Sequence, residues 1–258
     1  MSSKLATPDP WQGLRRFTDA RIALGRVGHA LPTAEVMRFQ LSHAQARDAV
    51  QQSVDFDAIA VELERCGLAT ETVHSQATDR ARYLKRPDLG RLLDESGQRW
   101  LRELRDELGG HDVVLIIGDG LSALAVQQQA VPTLTQIVQR LRQAGIGFCP
   151  TVFLARQARV ALADDIGERL RATATVILIG ERPGLSSPDS LGIYLTYGPR
   201  RGRQNAERNC ISNIRSAGLG HLQAADKLTY LLQESLRCKL SGVDLKDRSD
   251  LLSLPGSD

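Results

Sequence analysis

The chain has 258 residues, 42% of them hydrophobic, enough to fill one large or two small cores. Lys and Arg exceed Asp and Glu by three and are spread along the chain, so a nucleic-acid surface, whose footprint is a clustered basic patch, is not supported. Four cysteines (66, 149, 210, 238) form no CxxC pair, and no stretch approaches the roughly 18 apolar residues of a membrane span. The opening "MSSKLATPDPWQGL" lacks the apolar core of a signal peptide, so a reducing, cytoplasmic setting is expected.

In chain order, residues 7–50 read as helical, with Pro10 ahead of "WQGLRRFTDARIAL" and Pro32-Thr33 starting "AEVMRFQLSHAQARDAV". Val36, Phe39, His43, Ala46 and Val50 recur there at helical spacing, and His43 shares a face with Arg47. A second helix covers 56–66 and stops at Gly67. The polar stretch 72–90, broken by Pro87 and Gly90, reads as a clasp between two units. Helix resumes over 91–108, closed by Gly109-Gly110.

From His111 strands and helices alternate: strand 112–120, helix 121–145 broken at Pro132, strand 147–155, helix 160–172, strands 175–181 and 191–198, and a terminal helix 221–242. Four or five strands are too few for an eight-stranded barrel and predict a βαβ sheet with one antiparallel member. The fold class expected is α/β, with a helical N-terminal domain (1–90) and a Rossmann-like C-terminal domain (91–258). The end, "KDRSDLLSLPGSD", has the composition of a frayed tail.

Ligands of open α/β sheets sit beyond the carboxyl ends of the strands. Three of those ends carry polar residues: Asp119, Arg156 and Glu181, the last in "GERPGL". "GDGLSA" has the glycine spacing of a weak dinucleotide fingerprint, but the acid expected about 20 residues later is absent. Ser122 fits a helix cap better than a nucleophile, because G-x-S-x-G is not matched. Cys210 falls in a segment read as loop, between Arg208 and Arg215, which could lower a thiol pKa, although an inert cysteine is favoured. Histidines 29, 43, 74, 111 and 221 show no metal-ligand spacing. On the residues alone the reading stops at an α/β ligand-binding domain, with a nucleotide-binding oxidoreductase or a scaffold protein as alternatives.

A resemblance reaches further. "RRFTDARIALGR", "LSHAQARDAV", "YLKRPDLGR", "IIGDGLSA", "IGERPGL", "CISNIRSAGL" and "AADKLTYLL" occur in this order between about residues 11 and 247, and together they resemble the small (light) subunit of ethanolamine ammonia-lyase. The resemblance implies an adenosylcobalamin-dependent lyase that converts ethanolamine to acetaldehyde and ammonia, active only with a large (β/α)8-barrel subunit in a hetero-oligomer. By match to the family's motifs, the cofactor contacts are implied at Val160 in "ARVALADDIGE", Glu181 in "GERPG" and Cys210 in "NCISNIR". No histidine has a DxHxxG-like context, so the cofactor is expected base-on, with no catalytic residue and no metal ligand from this chain. Enclosure in a bacterial microcompartment is common in the family. Helix 33–50 and the clasp 72–90, including Tyr83, are the expected partner surface, since such segments bury poorly within a small domain.

Overall fold

The structure, a computed structural model, describes residues 6–247. The chain is mixed α/β, built on one six-stranded sheet. Its elements are a 3-10 turn at Gln12–Phe17, then α1 (Thr33–Gln51), α2 (Phe56–Arg65), β1 (Ala69–His74), α3 (Arg80–Lys85), α4 (Glu95–Glu103), α5 (Arg105–Leu108), β2 (Val113–Gly118), α6 (Ala123–Gln143), β3 (Thr151–Arg156), α7 (Leu162–Arg169), β4 (Ala174–Gly180), β5 (Leu191–Tyr197), β6 (Arg208–Ile214) and α8 (His221–Cys238). No helix among the described residues is long and apolar enough to cross a membrane. The tail read as frayed lies, from Arg248 on, outside the described residues.

The strand order is β1-β3-β2-β4-β5-β6. The first four strands are parallel, β5 is antiparallel to β4, and β6 is antiparallel to β5. All six residues of β2 and all seven of β4 are buried, as expected for parallel strands covered on both faces. One face packs under α2, α6 and α8 through Leu115, Ile117, Val176, Leu178, Ile193 and their neighbours. The other packs under α7 and α4 through Val114, Ile116, Ile177, Leu162 and Ile166.

Several expectations need correction. Two strands were missed. β1 lies in the stretch read as clasp and pairs with β3 along its whole length, so the sheet spans the division placed at residue 90. Its sequence, "ATETVH", buries only Val73, which is why it carries no apolar signal. β6 occupies the segment read as loop and puts Cys210 in mid-strand opposite Tyr194. Its polar sequence buries only Arg208, Ile211 and Ile214. The sheet therefore has six strands and two of them extend it in antiparallel fashion. Helix 121–145 is not broken at Pro132: α6 runs through it, and the hydroxyls of Thr133 and Thr135 bond back to the carbonyls of Gln129 (2.6 Å) and Val131 (2.9 Å) around the position where the proline lacks an N–H. Residues 18–32 are not helical, and α1 begins only at Thr33.

The clasp is a built part of the sheet's carboxyl edge. Tyr83 is fully buried, its hydroxyl donating to the Ala158 carbonyl (2.9 Å). Its ring lies between the guanidiniums of Arg159 (4.2 Å) and Arg80 (4.8 Å). Arg80 reaches on to the carbonyls of Val50 (2.7 Å) and Gly120 (2.7 Å), tying α1, α3 and the β2–α6 loop together. Tyr83 is thus unavailable to a partner, against the expectation that the clasp buries poorly.

At the start of α6, Gly120 has φ +60°, and a Cβ there would lie 2.3 Å from the Gly180 carbonyl oxygen. Neither left-handed backbone nor that contact suits a side chain. Gly120→Ala is expected to cost at least about 2 kcal/mol, seen as a lower urea midpoint at unchanged slope. An unchanged midpoint would show that the β2–α6 loop is not fixed against the end of β4.

Candidate functional site

The alternation of β5 and β6 sets the chemistry of the site. Leu191, Ile193 and Leu195 of β5, with Ile211 and Ile214 of β6, enter the core beneath α6 and α8. On the opposite face Gly192, Tyr194 and Thr196 stand beside Arg208, Cys210 and Ser212. Helix α7 packs on that face over β4, while Cys210 and Ser212 remain exposed. The result is a small, polar platform next to the carboxyl ends of β2 and β4.

Glu181, one residue past β4, is pinned over this platform. Its backbone N–H donates to the Ser190 carbonyl (3.0 Å), and its carboxylate accepts from Ser190 Oγ (2.5 Å), Ser212 Oγ (2.5 Å) and the Asn213 N–H (3.3 Å). Gly192 leaves the room it needs, since a Cβ there would come 2.9 Å from Glu181 Oε1. Oε1 takes only the Ser212 bond, which leaves acceptor capacity free on a fixed carboxylate. A cavity of about 370 Å³ opens beside it, lined by Gly120, Arg159, Val160, Glu181, Arg182 and Tyr194 among others. It sits where the connection from β2 leaves to one side of the sheet and that from β4 to the other, which is where open α/β sheets hold ligands.

The three residues singled out by sequence therefore surround one region. Val160, just ahead of α7, and Glu181 line the same cavity; Cys210 lies one strand beyond, directly across the ladder from Tyr194, which also lines it. Tyr194, Arg159 and Arg182 were not picked out by sequence reasoning. Tyr194 was legible as the bulky member of the polar alternation in "LGIYLTYG", whereas Arg159 and Arg182 carried no pattern.

The other two polar strand ends have structural work. Asp119 is buried and accepts from the N–H groups of Gly120 (2.9 Å), Gln157 (2.7 Å) and Ala158 (2.8 Å), holding the β3–α7 loop to the end of β2. Burial pushes its carboxyl above the usual range, opposed by those amides and by Arg80. Arg156 turns outward over the Phe56 ring (5.2 Å) and towards Asp57 (3.6 Å). The "GDGLSA" loop is also closed to a dinucleotide: Leu121 N–H bonds Gly180 O (2.8 Å), and Ser122 caps α6 through the Ala125 N–H (3.1 Å) while donating to Pro188 O (2.6 Å). The cap expected of Ser122 is present.

The flanking arginines do not activate Cys210, in line with the inert cysteine favoured from the sequence. Arg208 is buried in an ion pair with Asp164, and Arg215 turns to Asn213, Ser186 and Asp189. Loss of hydration around the sulfur raises the thiol pKa, the Tyr194 hydroxyl opposes this, and the Glu181 charge adds to the rise. Thiolate should accordingly form only at higher pH than in an unfolded cysteine. In a chain with Cys66→Ser and Cys238→Ser, the alkylation of Cys210 by iodoacetamide is expected to have its pH midpoint above that of the same chain in guanidinium, and Tyr194→Phe should move it higher still. A midpoint below the denatured value would contradict this environment.

With this geometry in view, comparison with known proteins is informative. The family model for ethanolamine ammonia-lyase light chain matches residues 8–246. The ethanolamine ammonia-lyase small subunit of Azotobacter vinelandii is 53% identical over 253 residues, covering 98% of this chain and 93% of the relative. Those of Pseudomonas syringae pv. tomato and Xanthomonas campestris pv. campestris are 50% and 51% identical, covering 98% and 97% of this chain and 88% and 92% of the relatives. The chain belongs to the ethanolamine ammonia-lyase light-chain family.

Proposed function

We propose that this chain is the small subunit of an adenosylcobalamin-dependent ethanolamine ammonia-lyase and that its Rossmann-like half, 91–258 with β1 added, closes over the cofactor held against a large barrel subunit. The observation that carries this reading is the uncovered polar platform of β5 and β6, bordered by Val160, Glu181 and Cys210. A corrinoid is a wide, flat ring with carboxamides around its rim. A fixed carboxylate with a free acceptor position suits rim amide N–H groups, Val160 offers an apolar contact, and the short, exposed side chains of Cys210 and Ser212 permit close approach. The donor set thus fits the group without supplying a metal ligand. Among the described residues no three His, Cys, Asp or Glu side chains gather as a metal site, and His74 and His221 are engaged by the Ser75 carbonyl (2.7 Å) and Gln129 (2.8 Å). The base-on state is the part of this reading that rests on sequence, where no histidine has a DxHxxG-like context.

Bound adenosylcobalamin would supply radical chemistry at its cobalt–carbon bond. The work of this chain is different: Glu181 orients the rim, the platform sets the depth of the ring, and the loop 181–190 keeps water from that edge. Ethanolamine selection would fall to the large subunit. The partner surface is the amino-terminal segment, where Trp11, Phe17, Met37 and Leu41 are exposed. Only Glu35 and Ala49 of α1 are buried, so Val36, Met37, Phe39 and Leu41 lack a covering among the described residues. Residence in the cytoplasm, inside or outside a microcompartment, is compatible with this role.

Ammonia and acetaldehyde release from ethanolamine, with adenosylcobalamin present, is expected from a matching large subunit only when this chain is added. Glu181→Ala is expected to raise the cofactor Kd of the assembled complex about tenfold or more, and Cys210→Ala less, since a hydrogen bond to a charged group contributes about 1.5–3 kcal/mol. Full activity without this chain would reject the subunit role. Unchanged Kd in both variants would reject the platform as the cofactor surface and favour a scaffold.

A further inference from the structure

A second and larger cleft, about 860 Å³, runs along α7 from Val160 to Arg208. Its walls carry five arginines, at 91, 159, 201, 203 and 208. Three have carboxylate partners: Arg201 grips Asp165 (2.9 and 3.3 Å), Arg203 pairs with Glu207, and Arg208 with Asp164. Arg91 and Arg159 have none. Arg91 is exposed with no ion-pair or side-chain hydrogen-bond partner among the described residues. Arg159 bonds only the Tyr83 carbonyl (3.3 Å), and its Nε is buried without an acceptor. Arg208 Nε, in a side chain 2% exposed, is likewise buried without one.

Arg208 is closed off with Asp164, but the Arg159 guanidinium lines the cleft with its donor set incomplete, and because buried N–H donors nearly always have acceptors, a ligand bringing oxygen lone pairs would complete it. The acids facing the cleft do not fill that need: Asp88 is bound to Arg86 (2.7 Å) and Asp164 to Arg208. Both arginines line this cleft, and the backbone sets their segments side by side, since Arg159 N–H bonds Gly90 O (2.8 Å) and a Cβ on Gly90 would meet the Arg159 stem at 2.8 Å. A pair of arginines with forked donors suits a phosphate better than a single carboxylate. Arg159 and Val160 also line the smaller cavity beside Glu181, so one ligand can reach from that cavity into the cleft.

We infer that the cleft is an anion subsite for the phosphodiester in the nucleotide tail of the cobalamin, bound by Arg91 and Arg159. This rests on the cofactor role proposed above. The test compares adenosylcobinamide with adenosylcobinamide phosphate, which differ by one phosphate group, in equilibrium binding to the complex assembled with the large subunit. The phosphate-bearing ligand is expected to bind at least about tenfold more tightly. Arg91→Gln should remove most of that advantage while leaving adenosylcobinamide affinity unchanged. Arg159→Lys, which keeps the charge but loses the fork, should reduce the advantage in part.

Glu181→Ala separates the two claims, because it should weaken both ligands equally. If it weakens neither, the cofactor reading itself fails. If Glu181→Ala behaves as expected but the phosphate gives no advantage, or Arg91→Gln weakens both ligands alike, the anion subsite is overturned. Weakened assembly in Arg91→Gln, with the phosphate preference intact in the complex that still forms at high subunit concentration, would also overturn it and would place Arg91 against an acidic side chain of the large subunit.

Discussion

The structure depends on a difference in coverage between the two halves of one sheet. The parallel strands β2 and β4 are buried on both faces, and their residues are apolar throughout. The antiparallel extension β5 and β6 is covered on one face by α6 and α8, and on the other α7 reaches only part of the way. An apolar surface left open there would be costly, and the alternation Gly192, Tyr194, Thr196 against Leu191, Ile193, Leu195 avoids it. The open half-face is thus fixed by the core behind it, and a ligand can rest on it without disturbing the core.

A second constraint positions the edge of that platform. Tyr83, held between Arg80 and Arg159, anchors the amino-terminal third to the loops after β2 and β3, and Asp119 locks those two loops to each other through three amides. The same contacts set Val160 and Glu181 on facing sides of one cavity. Side chains that looked like site residues therefore divide into those that build the frame, Asp119, Arg156 and Ser122, and those that face open space, Val160, Glu181 and Cys210. Asp119, Arg156 and Glu181 are all polar strand ends, and only their partners distinguish them.

How much was legible follows from these contrasts. The buried strands β2 and β4 and the helices α2, α6 and α8 declare themselves by apolar content and period, because burial on both faces or along a stripe leaves a strong pattern. β1 and β6 do not: "ATETVH" and "RNCISNI" bury few residues each, and their strand character comes from hydrogen bonds to β3 and β5 that no local pattern reports. Glu181 stood out as a polar strand end and Cys210 as a cysteine near arginines, but their grouping with Val160 as cofactor contacts came from resemblance to a family and not from spacing. The sequence put two arginines near Cys210 without showing where they turn: the side chains of Arg208 and Arg215 leave it for Asp164 and for the 186–189 turn. Arg91 and Arg159 had no signal in sequence, since an unpaired guanidinium is visible only when every other charge in the cleft has found its partner.

The central claim is that the platform of β5 and β6 is the surface on which the cofactor rests. Cys210 reports on it directly, being exposed on that face and distant in sequence from Cys238 on α8, which serves as an internal control. The measurement is the iodoacetamide reaction rate of each cysteine, followed by mass spectrometry in the complex with the large subunit, with and without adenosylcobalamin. A cofactor seated on the platform predicts that its addition slows alkylation of Cys210 by about tenfold or more and leaves Cys238 unchanged. Equal Cys210 rates with and without the cofactor would contradict the account.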